Sequence, residues 1–204
     1  MEAARKIIKN EIKHHTYGPI ITSFIVYLLI FVLFGLVELK KDIVIMIVER
    51  FLPLMGIILI SPCFQYEMDY GIEDVIRSKS TGILTTYLIR LILRIFIYGM
   101  LTFLFIALIK ITDSQVEMAL YFFQSFSLGL LLGSLGFFAF GISSNLIGVY
   151  LVPILYYLLN WMPNWKVLGD FYLFRLRYGL EPKIGLNIFI AIIFLTVGLY
   201  ANRK

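Results

Sequence analysis

The stretch "IITSFIVYLLIFVLFGLV", Ile20 to Val37, runs for 18 residues without a single charge. A helix rises about 1.5 Å per residue, so a run of this length reaches nearly across the hydrocarbon core of a bilayer, roughly 30 Å thick. Backbone polar groups in hydrocarbon must be paired within their own segment, which a helix achieves. The stretch therefore reads as a first membrane-spanning helix. Basic residues precede it (Arg5, Lys6, Lys9 and Lys13), as they would in a secretory leader. Against that, the run is too long for a signal h-region and no small-residue cleavage pattern follows it.

The remaining sequence has the same character. Of 204 residues, 60% are hydrophobic and 15% charged, with a mean hydropathy of +0.90. Soluble domains hold about 45–50% apolar and about 25% charged residues. Five more apolar runs follow the first: Phe51 to Phe64, Tyr87 to Ile109, Met118 to Phe140, Leu146 to Met162 and Ile184 to Tyr200. The run from Phe51 is short unless its helix begins earlier, near Ile43. No segments alternate as barrel strands do. The expected fold is an all-α integral membrane protein, one transmembrane domain over residues 1–204. It has six transmembrane helices, an N-terminal amphipathic interfacial helix and a broken external segment before the last helix. The interfacial helix is expected over 1–15, where Ala4, Ile8 and Ile12 share a face amid Lys and Arg, a pattern suited to an anionic leaflet.

Lys and Arg number 18 against 13 Asp and Glu, a formal charge of +5, and they are too scattered for a nucleic-acid stripe. An even number of spans puts both termini on one side. The positive-inside rule makes that side the cytoplasm: Arg5, Lys6, Lys9, Lys13, Arg77, Lys79, Arg90, Arg94, Arg203 and Lys204 fall inside, ten of the 18, and eight fall outside. The expected location is the cytoplasmic membrane, multi-pass.

Candidates for chemistry are few. Both histidines, His14 and His15, precede the first span, and the lone Cys63 excludes an internal disulfide and cysteine-based metal clusters. "GSLG", Gly133 to Gly136, places Ser134 in a span with no histidine to activate it. Glu49 and Arg50 stand at the external start of the second apolar run. They read as an exposed ion pair of small energetic weight, or alternatively as part of a gate. Arg90 and Arg94, one helical turn apart, read as cations snorkelling to phosphates. Gly129 and Gly133, followed by Gly136 and Gly141, offer a surface for close helix packing, within one chain or between two. The connection "NWMPNWKVLGDFYLFRLRYGLEPK", 160–183, is long and aromatic, and the span before it contains Pro153. It either dips into protein as a re-entrant cap on a pathway or lies along the bilayer surface. Glu49, Arg50, Trp161 and Trp165 are the candidates for an external gate.

No glycine is followed directly by lysine, so the phosphate loop GxxxxGK[ST] does not occur, and uphill movement would draw on a partner. One segment stands apart. "YEMDYGIEDVIRSKST", Tyr66 to Thr81, concentrates four acids, an Arg and a Lys between two apolar runs. Glu67, Gly71, the run "IEDVI" and Ser78 and Ser80 resemble the short cytoplasmic helix that follows the second span in permeases of the type-2 ATP-binding-cassette exporter family. Ile72 stands where that family usually has Thr, and Arg90 near where a Lys often opens the next helix. The overall plan of leader, six spans and broken external segment resembles the small bacterial form of this family.

That resemblance implies a half-transporter. Two permease chains, identical or different, would enclose a pathway, and two ATPase subunits beneath would bind the ATP and Mg; this chain itself would hold no cofactor. Residues 67–81 would be the coupling helix, with Glu67, Asp69, Gly71, Ile72, Glu73, Asp74 and Arg77 facing the ATPase. The bland alternative for the segment is a solvated loop helix. For the protein, a membrane scaffold or toxin-immunity factor is the alternative from another class. Small external loops and uncharged aromatic spans suit an amphipathic or hydrophobic cargo, such as a peptide, antibiotic or lipid, with membrane lipid around it and no nucleic acid.

Overall fold

The computed structural model describes residues 17–35, 39–64, 83–112, 117–162 and 165–201, with positions 64, 83–86 and 165 described through their backbone only. Every regular element among them is helical. In chain order these are α1 (Tyr17–Phe34), α2 (Lys41–Cys63), α3 (Ile83–Ile111), α4 (Met118–Ser143), α5 (Leu146–Trp161), α6 (Trp165–Leu168) and α7 (Ile184–Ala201). Five of them, α1, α2, α3, α4 and α7, are long and apolar enough to cross a membrane, while α5 has 16 residues. The described chain thus has the make-up of an α-helical membrane protein. The interfacial helix expected over 1–15 and the charged segment 67–81 lie outside the described residues.

Local chemistry sets the helix ends. α1 stops because Gly35 takes φ +67, and its N–H returns to the Phe31 carbonyl at 3.0 Å, a left-handed cap that costs glycine little. Between α4 and α5 only Ser144 and Asn145 intervene. The Asn145 side chain accepts from the Ile147 N–H at 2.9 Å, the usual service of an N-cap. So short a turn makes α4 and α5 antiparallel neighbours.

α2 and α4 form the centre, each with 67% of its spanning window buried, against 17% in α1 and 22% in α7. α4 packs against α2, α3, α5 and α7. The outer helices turn Phe24, Leu28, Val32, Ile92, Phe96 and Leu155 outward, a surface that suits acyl chains and would be intolerable in water.

α2 begins at Lys41, ten residues before the apolar run at Phe51 and close to the earlier start near Ile43 that the shortness of that run suggested. Its course is not uniform: Lys41–Met46 is α-helical, Ile47–Phe51 is a π turn, and Leu54–Ile60 is α-helical again beyond Pro53. In the π turn the Leu52 N–H reaches the Ile47 carbonyl at 3.0 Å, one residue beyond the α-helical partner. Pro53 contributes no N–H, so the ladder is already interrupted at that level.

Candidate functional site

The π turn of α2 carries Glu49 and Arg50. Eight residues separate Glu49 from the start of α2, which places it about 12 Å along the helix. Glu49 is 1% exposed and Arg50 8%. The expectation of an exposed ion pair is therefore corrected: the helix starts earlier than its apolar run, and the two charges sit inside the bundle.

Glu49 is held by donors drawn from two other elements. Its Oε1 accepts from Gln124 Nε2 of α4 at 3.2 Å and from the Leu176 N–H at 2.8 Å, and its Oε2 accepts from the Arg177 N–H at 3.2 Å. Leu176 and Arg177 open a single 3-10 turn, Leu176–Tyr178. Its first N–H groups have no partner within the turn, so a carboxylate on α2 caps a turn 127 residues away. Gln124 Nε2 also lies 3.4 Å from the Leu173 carbonyl. Two acceptors on one side of the amide fix its nitrogen there.

Part of the connection between α5 and α7 is thereby drawn into the bundle. Tyr172, Leu173 and Phe174 are buried in a cluster with Ile57 of α2, Leu128, Leu131 and Leu132 of α4 and Tyr157 of α5. Asn160, at the end of α5, accepts from the Leu173 N–H at 2.8 Å and donates to the Tyr156 carbonyl at 2.9 Å. The Tyr156 hydroxyl in turn donates to the Phe171 carbonyl at 2.6 Å. Side chains thus meet the irregular backbone at Phe171, Leu173, Leu176 and Arg177, which favours its lying at this depth. Val167 and Phe171, by contrast, stay exposed. The segment is neither wholly at the surface nor wholly inserted: three residues dip inward, and the turn before them stays outside.

Arg50 faces elsewhere. Its guanidinium carbon lies 4.2 Å from the Trp161 ring centre and 5.2 Å from that of Phe174, and its carbonyl accepts from the Tyr157 hydroxyl at 3.0 Å. Of the four candidate gate residues the structure brings together Glu49, Arg50 and Trp161; Trp165 opens α6. Gln124, Tyr157, Asn160, Tyr172 and Phe174 were not singled out from the sequence. Gln124 and Asn160 carried a usable signal, since an amide within an apolar span must find a partner.

At the opposite end, Arg90 and Arg94 of α3 are buried rather than snorkelling outward. Arg90 Nη1 donates to the Cys63 carbonyl at 2.8 Å, and Arg94 Nη1 to the Leu59 carbonyl at 3.3 Å. These carbonyls lie where α2 tightens into a 3-10 turn at Pro62, so the guanidinium groups stand at the negative end of the helix. Ser134 donates to the Leu131 carbonyl of its own helix at 2.8 Å.

The glycines of α4 lie on its inner faces. A methyl group on Gly129 would overlap the Tyr98 hydroxyl of α3. One on Gly133 would meet the Gly56 carbonyl and Ile60 Cβ of α2, and one on Gly136 would meet Ser61 and the Val149 carbonyl of α5. All these neighbours belong to the same chain. Among the described residues no group of His, Cys, Asp and Glu is placed to hold a metal ion. Comparison with protein-family models, with curated proteins and with solved structures finds no match to the chain.

Proposed function

We propose that this chain is the membrane-spanning permease subunit of an ATP-binding-cassette exporter. It pairs with a second permease chain and with two cytoplasmic ATPase subunits, which carry the ATP and Mg, to export an amphipathic or hydrophobic cargo. In this reading α5 is the fifth of six spans, its 16 residues covering about 24 Å before the chain turns at the external face. Both termini and residues 67–81 then lie in the cytoplasm.

The observation that supports the reading is the inward dip of Tyr172–Phe174 at one end of α2, held by Glu49. A plain connecting loop has no need of a buried carboxylate and two buried amides, whereas a gate at the mouth of a pathway has to be held shut by something that can release. α2 would be the lever. One end carries Glu49; the other leads into the segment that resembles a coupling helix, so a push there is transmitted to the latch along one element.

The test is purification of the tagged full-length chain from native membranes after mild cross-linking, then reconstitution with any ATPase recovered. Recovery of an ATP-binding-cassette ATPase together with ATP-dependent flux of an amphipathic peptide or lipid is the expected result. Proton-driven transport by the chain alone overturns the assignment.

A further inference from the structure

A guanidinium carries five N–H donors and no acceptor. Among the described residues none of the five on Arg50 meets a carboxylate, carbonyl or hydroxyl, and Nε is sealed from solvent without a partner. Glu49, next to it in sequence, spends its oxygens on Gln124, Leu176 and Arg177. The Trp161 face recovers only part of what desolvating a guanidinium costs. Glu49 therefore acts on the guanidinium only through space, and this buried cation has no anion hydrogen-bonded to it among the described residues. The approach to it is apolar: Trp161 is itself partly exposed, and Leu158, Leu159 and Met162 beside it on α5 and just beyond are exposed. Tryptophan at the end of a spanning helix sits by preference at headgroup depth, where anionic heads and apolar chains meet.

We infer that Arg50 is the binding site for an oxyanion, a phosphate or carboxylate head borne on an apolar chain that passes Trp161. The site stands whether or not the chain exports anything. Arginine suits it because its planar fork matches both oxyanions. A membrane phospholipid and a fatty-acid-like amphiphile share this chemistry.

Native mass spectrometry of the full-length chain in neutral detergent tests it with four probes: phosphatidylglycerol, a long-chain fatty acid, inorganic phosphate and diacylglycerol. One tight adduct with either anionic amphiphile, and none with diacylglycerol, is expected; preference between the two distinguishes lipid phosphate from a carboxylate amphiphile. Arg50→Gln should weaken that adduct by roughly tenfold, the factor supplied by one charge-assisted hydrogen bond. Lys41→Gln, an exposed cation at the same end, should change it less than about twofold. If Arg50→Gln does not fold, Arg50→Lys keeps the charge but loses the fork, and a loss of about threefold or more is expected. Equal binding of diacylglycerol, or full retention of the adduct in the Arg50 variant that folds, overturns the site. Inorganic phosphate displacing the amphiphile at equal concentration overturns the apolar approach.

Discussion

A carboxylate two turns inside an apolar bundle is tolerated only if donors surround it, and Glu49 has three. Glu49→Ala would strand two backbone N–H groups and leave the Gln124 amide only its long bond to the Leu173 carbonyl, a loss of roughly 3 kcal/mol given the weight of hydrogen bonds to charged groups. Glu49→Gln keeps an oxygen for Leu176 but turns an NH2 toward the Arg177 N–H, so its cost should be nearer 1–2 kcal/mol. Denaturant titration in micelles should rank the two in that order. Chymotrypsin added from outside should cut Glu49→Ala faster at Tyr172 or Phe174, since the segment has lost its latch. Arg90 makes a second test. Arg90→Leu leaves the Cys63 carbonyl without its donor and should cost about 1.5–3 kcal/mol by the same titration, with Arg90→Lys losing less. The sequence made Glu49 and Arg50 visible as charges beside an apolar run, but not their burial. That depends on partners more than 100 residues away, Tyr157, Leu176 and Arg177, which no local pattern reports.

At the scale of elements, apolar length was a good guide to where helices lie and a poor one to where they begin. α4, α5 and α7 begin at the residues where their apolar runs begin, because hydrocarbon thickness and backbone pairing act on each segment alone. α2 is blurred because its first three turns contain Lys41, Asp42, Glu49 and Arg50, so its start near Ile43 could be inferred only from the shortness of the run at Phe51, and the burial of Glu49 rests on tertiary contacts. The connection 160–183 was open between two readings for a related reason. Aromatic residues suit both headgroup depth and a protein interior, and it is Glu49, Gln124 and Asn160 from distant elements that hold Tyr172–Phe174 inward. The glycine spacing on α4 announced close packing without naming the neighbour, which is α2, α3 and α5 of the same chain. Joint replacement of Gly129 and Gly133 by Leu would place side chains where Tyr98 and the Gly56 carbonyl already stand. Overpacking of this kind costs about 3 kcal/mol or more when backbone must move. Leu135→Ala, on a half-buried position of the same helix, should cost about 2 kcal/mol or less. Monodispersity and thermal melting of the purified variants check the order; a normally assembled double variant would mean that α2 and α3 can be displaced without penalty.

For the whole molecule, orientation and the role of residues 67–81 can be tested together. In a Cys63→Ser background, cysteines at 78 and 204 should react only with reagents that enter the cytoplasm, and cysteines at 115 and 166 should react from outside. External labelling at 78 would invert the model and remove the proposed contact with a motor. Given the expected orientation, charge reversal separates a docking helix from a solvated loop. On an exposed loop, Asp74→Lys should change stability by no more than about 0.5 kcal/mol and leave every partner in place. In a partly desolvated groove, the wrong sign next to a complementary charge costs several kcal/mol and releases the partner. Asp74→Lys should therefore leave membrane insertion intact while an ATPase that accompanies the wild-type chain is lost on purification and cargo-stimulated ATP turnover disappears. Lys40→Glu, exposed beside the start of α2 on the other face of the membrane, should alter neither. If Asp74→Lys keeps both the partner and turnover, residues 67–81 are a bystander. The contact must then be sought at the same face, in Gly141–Asn145, the end of α4 and its turn to α5, where Gly141 packs against Gly198 and Ser143, Ser144 and Asn145 remain exposed.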